Sequence, residues 1–277
     1  MTRLFSAIHQ FHSGATPGDA ITNQMFALQA ELRAMGYRSE IFAEHFDGEL
    51  ATSIKHIDTL TPSDRELLLI HHSMGHRRLD QILEFPNPLV TVYHNITPAQ
   101  ELTEIGYKHF SHIGRHQLDV LAQQSLMGIA DSHYNRKEML LRGFKHVEVI
   151  PVRTNFREFQ NARETRHPER DWLFVGRIAP NKQQLEIVRA FHHFHHNVDK
   201  AARLFLVGDH KMRSYVDAVG DEIEKLDLIG HVDPTGKLED NDLIHRYARA
   251  GVFVSLSRHE GFGVPLLEAM AAGVPVV

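Results

Sequence analysis

The sequence has no cysteine among its 277 residues, which excludes disulfides, thiolate metal sites and a cysteine nucleophile, and fits a reducing compartment. No apolar run approaches the roughly 18 residues of a membrane span. The opening stretch MTRLFSAIHQFHSGATPGD has too short an apolar core for a secretory signal, so a cytoplasmic chain is expected. Neither sign of charge dominates: 30 Lys and Arg stand against 35 Asp and Glu, a formal net charge of −5. That balance gives no global attraction to nucleic acid or anionic lipid, and any anion must be held by local groups.

What the sequence does have is 42% apolar residues, arranged as short runs that alternate with amphipathic stretches. This is the pattern of βα units feeding parallel sheets. Strands are predicted over 4–8, 39–43, 67–70, 89–93, 127–130 and 147–150. A loop of Gly and small residues over 12–19 leads into a helix over 20–35 that places Ile21, Met25, Leu28 and Leu32 on one face, and Gly36 ends it. Between 151 and 168 the periodicity fails, which marks a linker. Strands then follow over 172–175, 203–207, 228–230 and 252–255, with helices over 182–195, 211–225, 240–249 and 265–272. The expected fold class is α/β, with two Rossmann-like doubly wound domains over 1–155 and 156–277 that face a cleft. The last residues, GVPVV, read as a strand begun without a closing helix, so the second domain is expected to be incomplete.

The chemistry concentrates in Ser255-Leu-Ser-Arg-His-Glu-Gly-Phe-Gly-Val-Pro-Leu-Leu-Glu-Ala-Met-Ala-Ala-Gly. Glu260 falls in a loop after a strand, Pro265 suits the first turn of the next helix, and Glu268 lies about one turn inside it. Gly261 and Gly263 let the main chain approach a ligand, and free N–H groups at the helix start suit a phosphate. A carboxylate offers two acceptor oxygens, a match for neighbouring sugar hydroxyls: Glu268 for a ribose diol, Glu260 for a second sugar. An ordinary loop charge and a helix-start charge are the plain alternative. In FVGRIAPNK a strand ends at Gly176 and Arg177, with Lys182 at the start of a helix. Two fixed cations there stabilise the charge that builds on a departing diphosphate as a divalent metal would, so no metal or other cofactor is needed. Solvated surface charge is the alternative for both.

The pieces FVGRIAPNK, LFLVGDH, IGHV and VFVSLSRHEGFGVPLLEAMAAGVPVV cover most of residues 172–277. In that order they resemble the donor domain of the retaining family-4 glycosyltransferases of GT-B fold, here with a C-terminal truncation. The resemblance implies that Arg177 and Lys182 contact the diphosphate, Glu268 the ribose, Glu260 the transferred sugar, and Phe262, Gly263 and Val264 the sugar and phosphates through backbone groups. Gly208 and Val232 would lie near the base. The sequence departs from the family pattern at Gln183, where a glycine often follows the lysine, and at His210, where a second glycine is common.

The first half resembles the family less specifically. Gly14 and Gly18 stand where its members have a glycine loop that closes over the diphosphate; a plain strand-to-helix turn is the alternative. His94, ending the strand in LVTVYHNITP, resembles the family histidine that touches the donor sugar. It would orient and polarise rather than act as base, because with retention the leaving phosphate oxygen takes the acceptor proton. A satisfied histidine at a strand end is the alternative. His71 and His72 end another strand and can line the acceptor side.

Two metal motifs are better explained otherwise. His192, His193, His195 and His196 lack a suitably spaced carboxylate or cysteine, and Asp240-Asn241-Asp242 suits a helix start. Residues 108–145 carry six Lys or Arg against three Asp or Glu, which suits a peripheral contact with a membrane bearing a lipid-linked acceptor, or simply a solvated face. The expected partners are thus a nucleotide-sugar donor and a saccharide or lipid-linked acceptor, with no nucleic acid. The competing readings are a non-catalytic sugar-nucleotide-binding or scaffolding protein, a nucleotide-sugar epimerase, and a nicotinamide dehydrogenase. The dehydrogenase ranks last because HQFHSGATPGDA lacks G-x-G-x-x-G.

Overall fold

The computed structural model describes residues 4–154, 156–164 and 169–277. Their contacts divide into two compact units. The first takes in residues 4–99 and 104–154, and the second residues 100–103, 156–164 and 169–277.

The first unit runs β1 (Ala7–Ala15), α1 (Ala20–Ala34), β2 (Ile41–Phe46), β3 (Ile54–His56), β4 (Glu66–His72), α2 (Leu79–Leu83), β5 (Leu89–Tyr93), α3 (Ile105–Gln124), β6 (Ser125–Ala130), α4 (His133–Leu141) and β7 (Val147–Val149). Its strands form one parallel sheet in the order β3-β2-β1-β4-β5-β6-β7. Apolar residues cover both faces, Leu68, Ile70 and Tyr93 to one side and Leu67, Leu69 and Val92 to the other. This is the two-sided burial of parallel strands. The strand order reverses between β1 and β4, which makes that edge a switch point where ligands of open α/β sheets bind.

The second unit runs α5 (Arg157–Glu164), β8 (Trp172–Val175), α6 (Gln184–Asn197), β9 (Leu204–Val207), α7 (Arg213–Lys225), β10 (Val232–Gly236), α8 (Asp240–Arg249), β11 (Val252–Phe253) and α9 (Val264–Ala271). The parallel order is β10-β9-β8-β11, with the reversal between β8 and β11. Side chains alternate along each strand. Phe174, Leu204 and Leu206 pack on one face with Ile187, Phe191 and Val219, while Leu173, Phe205 and Val207 pack on the other with Tyr247, Phe253 and Ala269. Each fully buried side chain of this size contributes roughly 1.5–3 kcal/mol relative to exposure.

Several expectations are corrected. The first strand is Ala7–Ala15, not 4–8, because His9, Gln10 and His12 are buried in it and hydrogen-bonded by their side chains. Gly14 is consequently a strand residue paired with His45, not part of a loop. Gly18 keeps its turn, with φ of 74°. Asp19 follows as the N-cap of α1, its carboxylate accepting from the Ile21 and Thr22 N–H groups at 3.1 and 3.2 Å. The second half-strand is Ile41–Phe46 rather than 39–43, and β3 was not foreseen. The linker is not structureless: α5 occupies Arg157–Glu164, with Phe159 edge-on to Tyr247 at 5.3 Å. Linker positions 155 and 165–168 lie outside the described residues. The strand expected over 228–230 is β10, Val232–Gly236, whose Pro234 is tolerated because β10 is an edge strand.

Candidate functional site

In the second unit the loops after β8 and β11, the two strands at the switch point, are tied together. Asn181 takes part twice, its carbonyl accepting from Arg258 N–H at 2.9 Å and its amide donating to the His259 carbonyl at 3.4 Å. That tie brings Lys182 Nζ to 2.6 Å from Glu260 Oε1. Behind the loop, buried Gln184 donates to the Arg177 carbonyl at 2.9 Å and accepts from Ala179 N–H at 3.3 Å, which fixes residues 177–182 against the start of α6. Gln183 sits at φ 59°, the left-handed conformation that favours glycine. Its side chain donates to the Pro180 carbonyl at 2.6 Å.

Arg177 is half-exposed, and its Nε lies 3.9 Å from Asp209 Oδ2 at the end of β9. Gly208, just before Asp209, is a glycine for a steric reason: a Cβ there would run into the Gly176 carbonyl. Strands β8 and β9 therefore end in close backbone contact. Gly263, at φ 80°, is the N-cap of α9, and Pro265 stands in its first turn as expected. Gly261 and Phe262 precede it half-buried, while Val264 is buried. Glu268 accepts a hydrogen bond from the Tyr247 hydroxyl at 2.9 Å. Burial raises the Glu268 carboxyl above its ordinary range; the Tyr247 bond opposes the rise and the Asp240 charge adds to it.

Val232 begins β10 and is buried in the sheet core, so its side chain packs rather than binds. A cavity of about 560 Å³ is lined by Ile178 after β8, His210 after β9, Pro234 of β10, and Val216, Asp217 and Gly220 of α7, among others. The α7 face of this cavity was not foreseen in the sequence.

In the first unit His94 is buried and both of its ring nitrogens are engaged. Nδ1 meets Asp131 Oδ2 and Nε2 meets His71 Nδ1, each at 2.8 Å. His71 Nε2 continues to Gln10 Oε1 at 3.0 Å, and the Gln10 amide donates to the Met25 carbonyl at 2.9 Å. The next residue, Asn95, has φ 69°, and its side chain accepts from Ile96 N–H at 2.8 Å. Tyr93 donates to Glu138 at 2.9 Å, and Glu138 pairs with Arg115 at 2.6 Å. These bonds hold the turn that carries His94. Neither Asp131 nor Gln10 carried a signal in local spacing; only their places along β6 and β1 reveal them.

Among the described residues no group of three or more His, Cys, Asp or Glu is placed to hold a metal ion. Asp240 and Asp242 lie in the first turn of α8. The ring of His195 lies tilted by 48° against that of His231, centroids 4.2 Å apart. Among the described residues no helix is long and apolar enough to cross a membrane.

Residues 155–277 match the family described as glycosyl transferases group 1. The chain is 33% identical over 105 residues to O-antigen chain mannosyltransferase B of Escherichia coli, covering 38% of this chain and 27% of that protein. It is 28% identical over 165 residues to mannosylfructose-phosphate synthase of Agrobacterium fabrum, covering 58% and 35%. The matched regions thus span about a quarter to a third of the length of these curated relatives. In fold the chain is similar to Anabaena HepE, whose crystal structure is in complex with UDP and glucose, at a TM-score of 0.74 and 17% identity over 98% of this chain and 80% of that one. Residues 155–277 are thus similar to the glycosyl transferases group 1 family, and the parallel α/β units share the GT-B type of fold.

Proposed function

We propose that the chain is the donor-binding part, and much of the acceptor-binding part, of a retaining glycosyltransferase. In this reading it moves a hexose or deoxyhexose from a nucleotide diphosphate sugar to a saccharide or lipid-linked acceptor, without an obligatory metal, in cell-surface polysaccharide synthesis. The observation that carries the reading is the pair Lys182 and Glu260, 2.6 Å apart at the switch point of the second sheet.

The bond from the anomeric carbon to the phosphate oxygen breaks, and the acceptor oxygen bonds to that carbon on the same face. The departing phosphate oxygen takes the acceptor's proton. Arg177 and Lys182 offset the charge left on the diphosphate. A partly exposed ion pair is worth only about 0–1 kcal/mol, so an incoming diphosphate draws Lys182 away from Glu260 at little cost and opens Glu260 Oε1 to a sugar hydroxyl. Glu268 accepts from the ribose diol, and the backbone of Gly261, Phe262, Gly263 and Val264 faces the sugar and phosphates, with Gly208 beside the nucleoside. His94 orients and polarises and is not the base, which agrees with the engagement of both its ring nitrogens. Exposed Leu126, Tyr134 and Leu141 within the basic stretch support a peripheral contact with lipid.

The sugar-transfer names of the relatives support this reading, and the UDP and glucose of the HepE complex support a nucleotide-sugar donor. The test is release of free nucleotide from UDP-, GDP- and dTDP-sugars with saccharide acceptors, with and without EDTA. Turnover indifferent to EDTA is expected. Loss on chelation contradicts the metal-free mechanism, and binding without turnover in a full-length protein favours the non-catalytic alternative.

A further inference from the structure

The buried hydrogen-bond chain of the first unit has a direction, and its direction fixes a proton count. One end has no choice: the Met25 carbonyl only accepts, so Gln10 turns its amide N–H to it at 2.9 Å and its oxygen to His71 Nε2 at 3.0 Å. An oxygen meets a ring nitrogen favourably only when that nitrogen carries hydrogen, so His71 is protonated at Nε2. Burial, with the neighbouring charges of His94 and His12, holds the His71 imidazolium form well below its ordinary range. Its Nδ1 is accordingly bare and accepts, and the group facing it at 2.8 Å, His94 Nε2, donates.

The other nitrogen of His94 faces Asp131 Oδ2 at 2.8 Å. Either His94 carries hydrogen on both nitrogens beside an ionised Asp131, or the second hydrogen rests on the Asp131 oxygen. In both forms the pair is neutral overall, with one proton more than a neutral imidazole and a carboxylate would hold. Reversing Gln10 to avoid this would set two carbonyl oxygens face to face, at a cost of roughly 1–3 kcal/mol for unsatisfied acceptors. The extra proton also removes a net charge from Asp131, which is 1% exposed.

We propose that the His94–Asp131 pair holds one extra proton at neutral pH, with His71 as the positioning residue whose bare Nδ1 keeps it there. The titratable groups around the pair are His12 on β1, His71 and His72 on β4, and Asp19, which reaches His12 from the start of α1. Asp131 is the carboxylate in direct contact with the ring. His94 therefore acts on whatever binds beside it as a fixed, hydrogen-bonded group, and not by exchanging a proton at a free nitrogen. Hydrogen-bond polarity together with the burial of His71 places the proton, independently of the sugar-transfer reading.

The experiment is heteronuclear NMR of the whole chain with 15N-labelled histidine rings. Signals are assigned by their loss in His94→Gln and His71→Gln, and read near neutral pH and at about pH 8, where an ordinary imidazole is nearly all neutral. His94 Nε2 protonated at both, with His71 protonated at Nε2 and bare at Nδ1, is the expected result. A bare His94 Nε2, or a proton on His71 Nδ1, overturns the proposal. In Asp131→Asn the amide oxygen still accepts from Nδ1–H but the charge is gone, so His94 Nε2 should become bare at about pH 8 while the melting transition persists; an unchanged Nε2 signal counts against it. The spectrum is read without substrate, so it decides the proton independently of whether transfer is found.

Discussion

Lys182 and Glu260 lie 2.6 Å apart although they come from loops that follow two different strands, β8 and β11. The sheet order makes the meeting intelligible. Strands β9 and β10 lie to one side of β8 and β11 to the other, so the loops at the C-terminal ends of β8 and β11 turn away from each other's helices and leave a gap between them. Asn181 bridges that gap to Arg258 and His259. A lysine and a glutamate are thereby held where an anion and a polyol can displace one from the other.

Lys182→Ala in a complete enzyme is expected to lower turnover by about a hundredfold, through loss of leaving-group stabilisation. The melting temperature should barely move, because the pair is partly exposed. Nucleotide-release kinetics and a thermal melt on the same preparation check both parts; a large fall in stability with unchanged turnover goes against the assigned role.

Glu268→Gln should separate stability from binding. A carboxyl whose pKa is raised in the folded protein takes up a proton more readily there than in the unfolded chain, so its stabilising contribution is present in acid and lost as pH rises through the raised value. At neutral pH ionised Glu268 thus costs stability. Gln keeps an acceptor for Tyr247 without the charge, so the variant should melt a few degrees higher at neutral pH, with no gain at about pH 4, while affinity for a nucleotide sugar falls. Denaturation at the two pH values and calorimetric titration are the measurements.

Gly208 and Gly14 make a contrasting pair. A Cβ at Gly208 would strike the Gly176 carbonyl, so Gly208→Ala is expected to cost about 2–4 kcal/mol. At Gly14 the nearest atom to a Cβ is the His45 carbonyl oxygen at 3.9 Å. Gly14→Ala should accordingly be neutral or stabilising by up to about 1 kcal/mol. Urea denaturation of both variants decides.

Acid should weaken the first unit through its buried histidines. Burial pushes His72 down to about 4 and His76 down to about 3. An unfolded imidazole takes its proton near pH 6.5, so the unfolded chain binds more protons below that value. The contribution of each residue is whole above pH 6.5 and lost as pH falls toward 4 and 3. By about pH 5 each should have removed roughly 2 kcal/mol. Denaturation curves at pH 7 and 5 check this, and equal stability at the two would refute it.

The sequence showed the second unit better than the first, for a physical reason. Strands such as Leu89–Tyr93 and Trp172–Val175 are short apolar runs with turn residues on both sides, and their bounds could be read directly. Strand β1 could not, because its buried centre contains His9, Gln10 and His12, and a rule that counts apolar residues reads those as loop. Their burial is made possible by partners on other elements: Glu66 and Glu40 for His9, the Met25 carbonyl for Gln10 and the His71 carbonyl for His12. Local rules fail there because long-range bonds replace hydrophobic pairing. Helix α5 was missed since Phe159 and Ala162 are the two apolar positions that it sets against the unit. In the site, Lys182 and Glu260 were legible from their motifs, whereas Tyr247, Asp209 and Asp131 touch site residues only through the fold.

Lys182 and Arg177 are proposed to hold a diphosphate without a metal. Isothermal titration of the chain with UDP, GDP and dTDP in the presence of EDTA tests it directly. The prediction is that at least one of them binds, and that Lys182→Ala weakens it at least about tenfold, the loss of one charge-assisted contact. Binding that requires a divalent ion, or that is the same in Lys182→Ala as in the native chain, would contradict it.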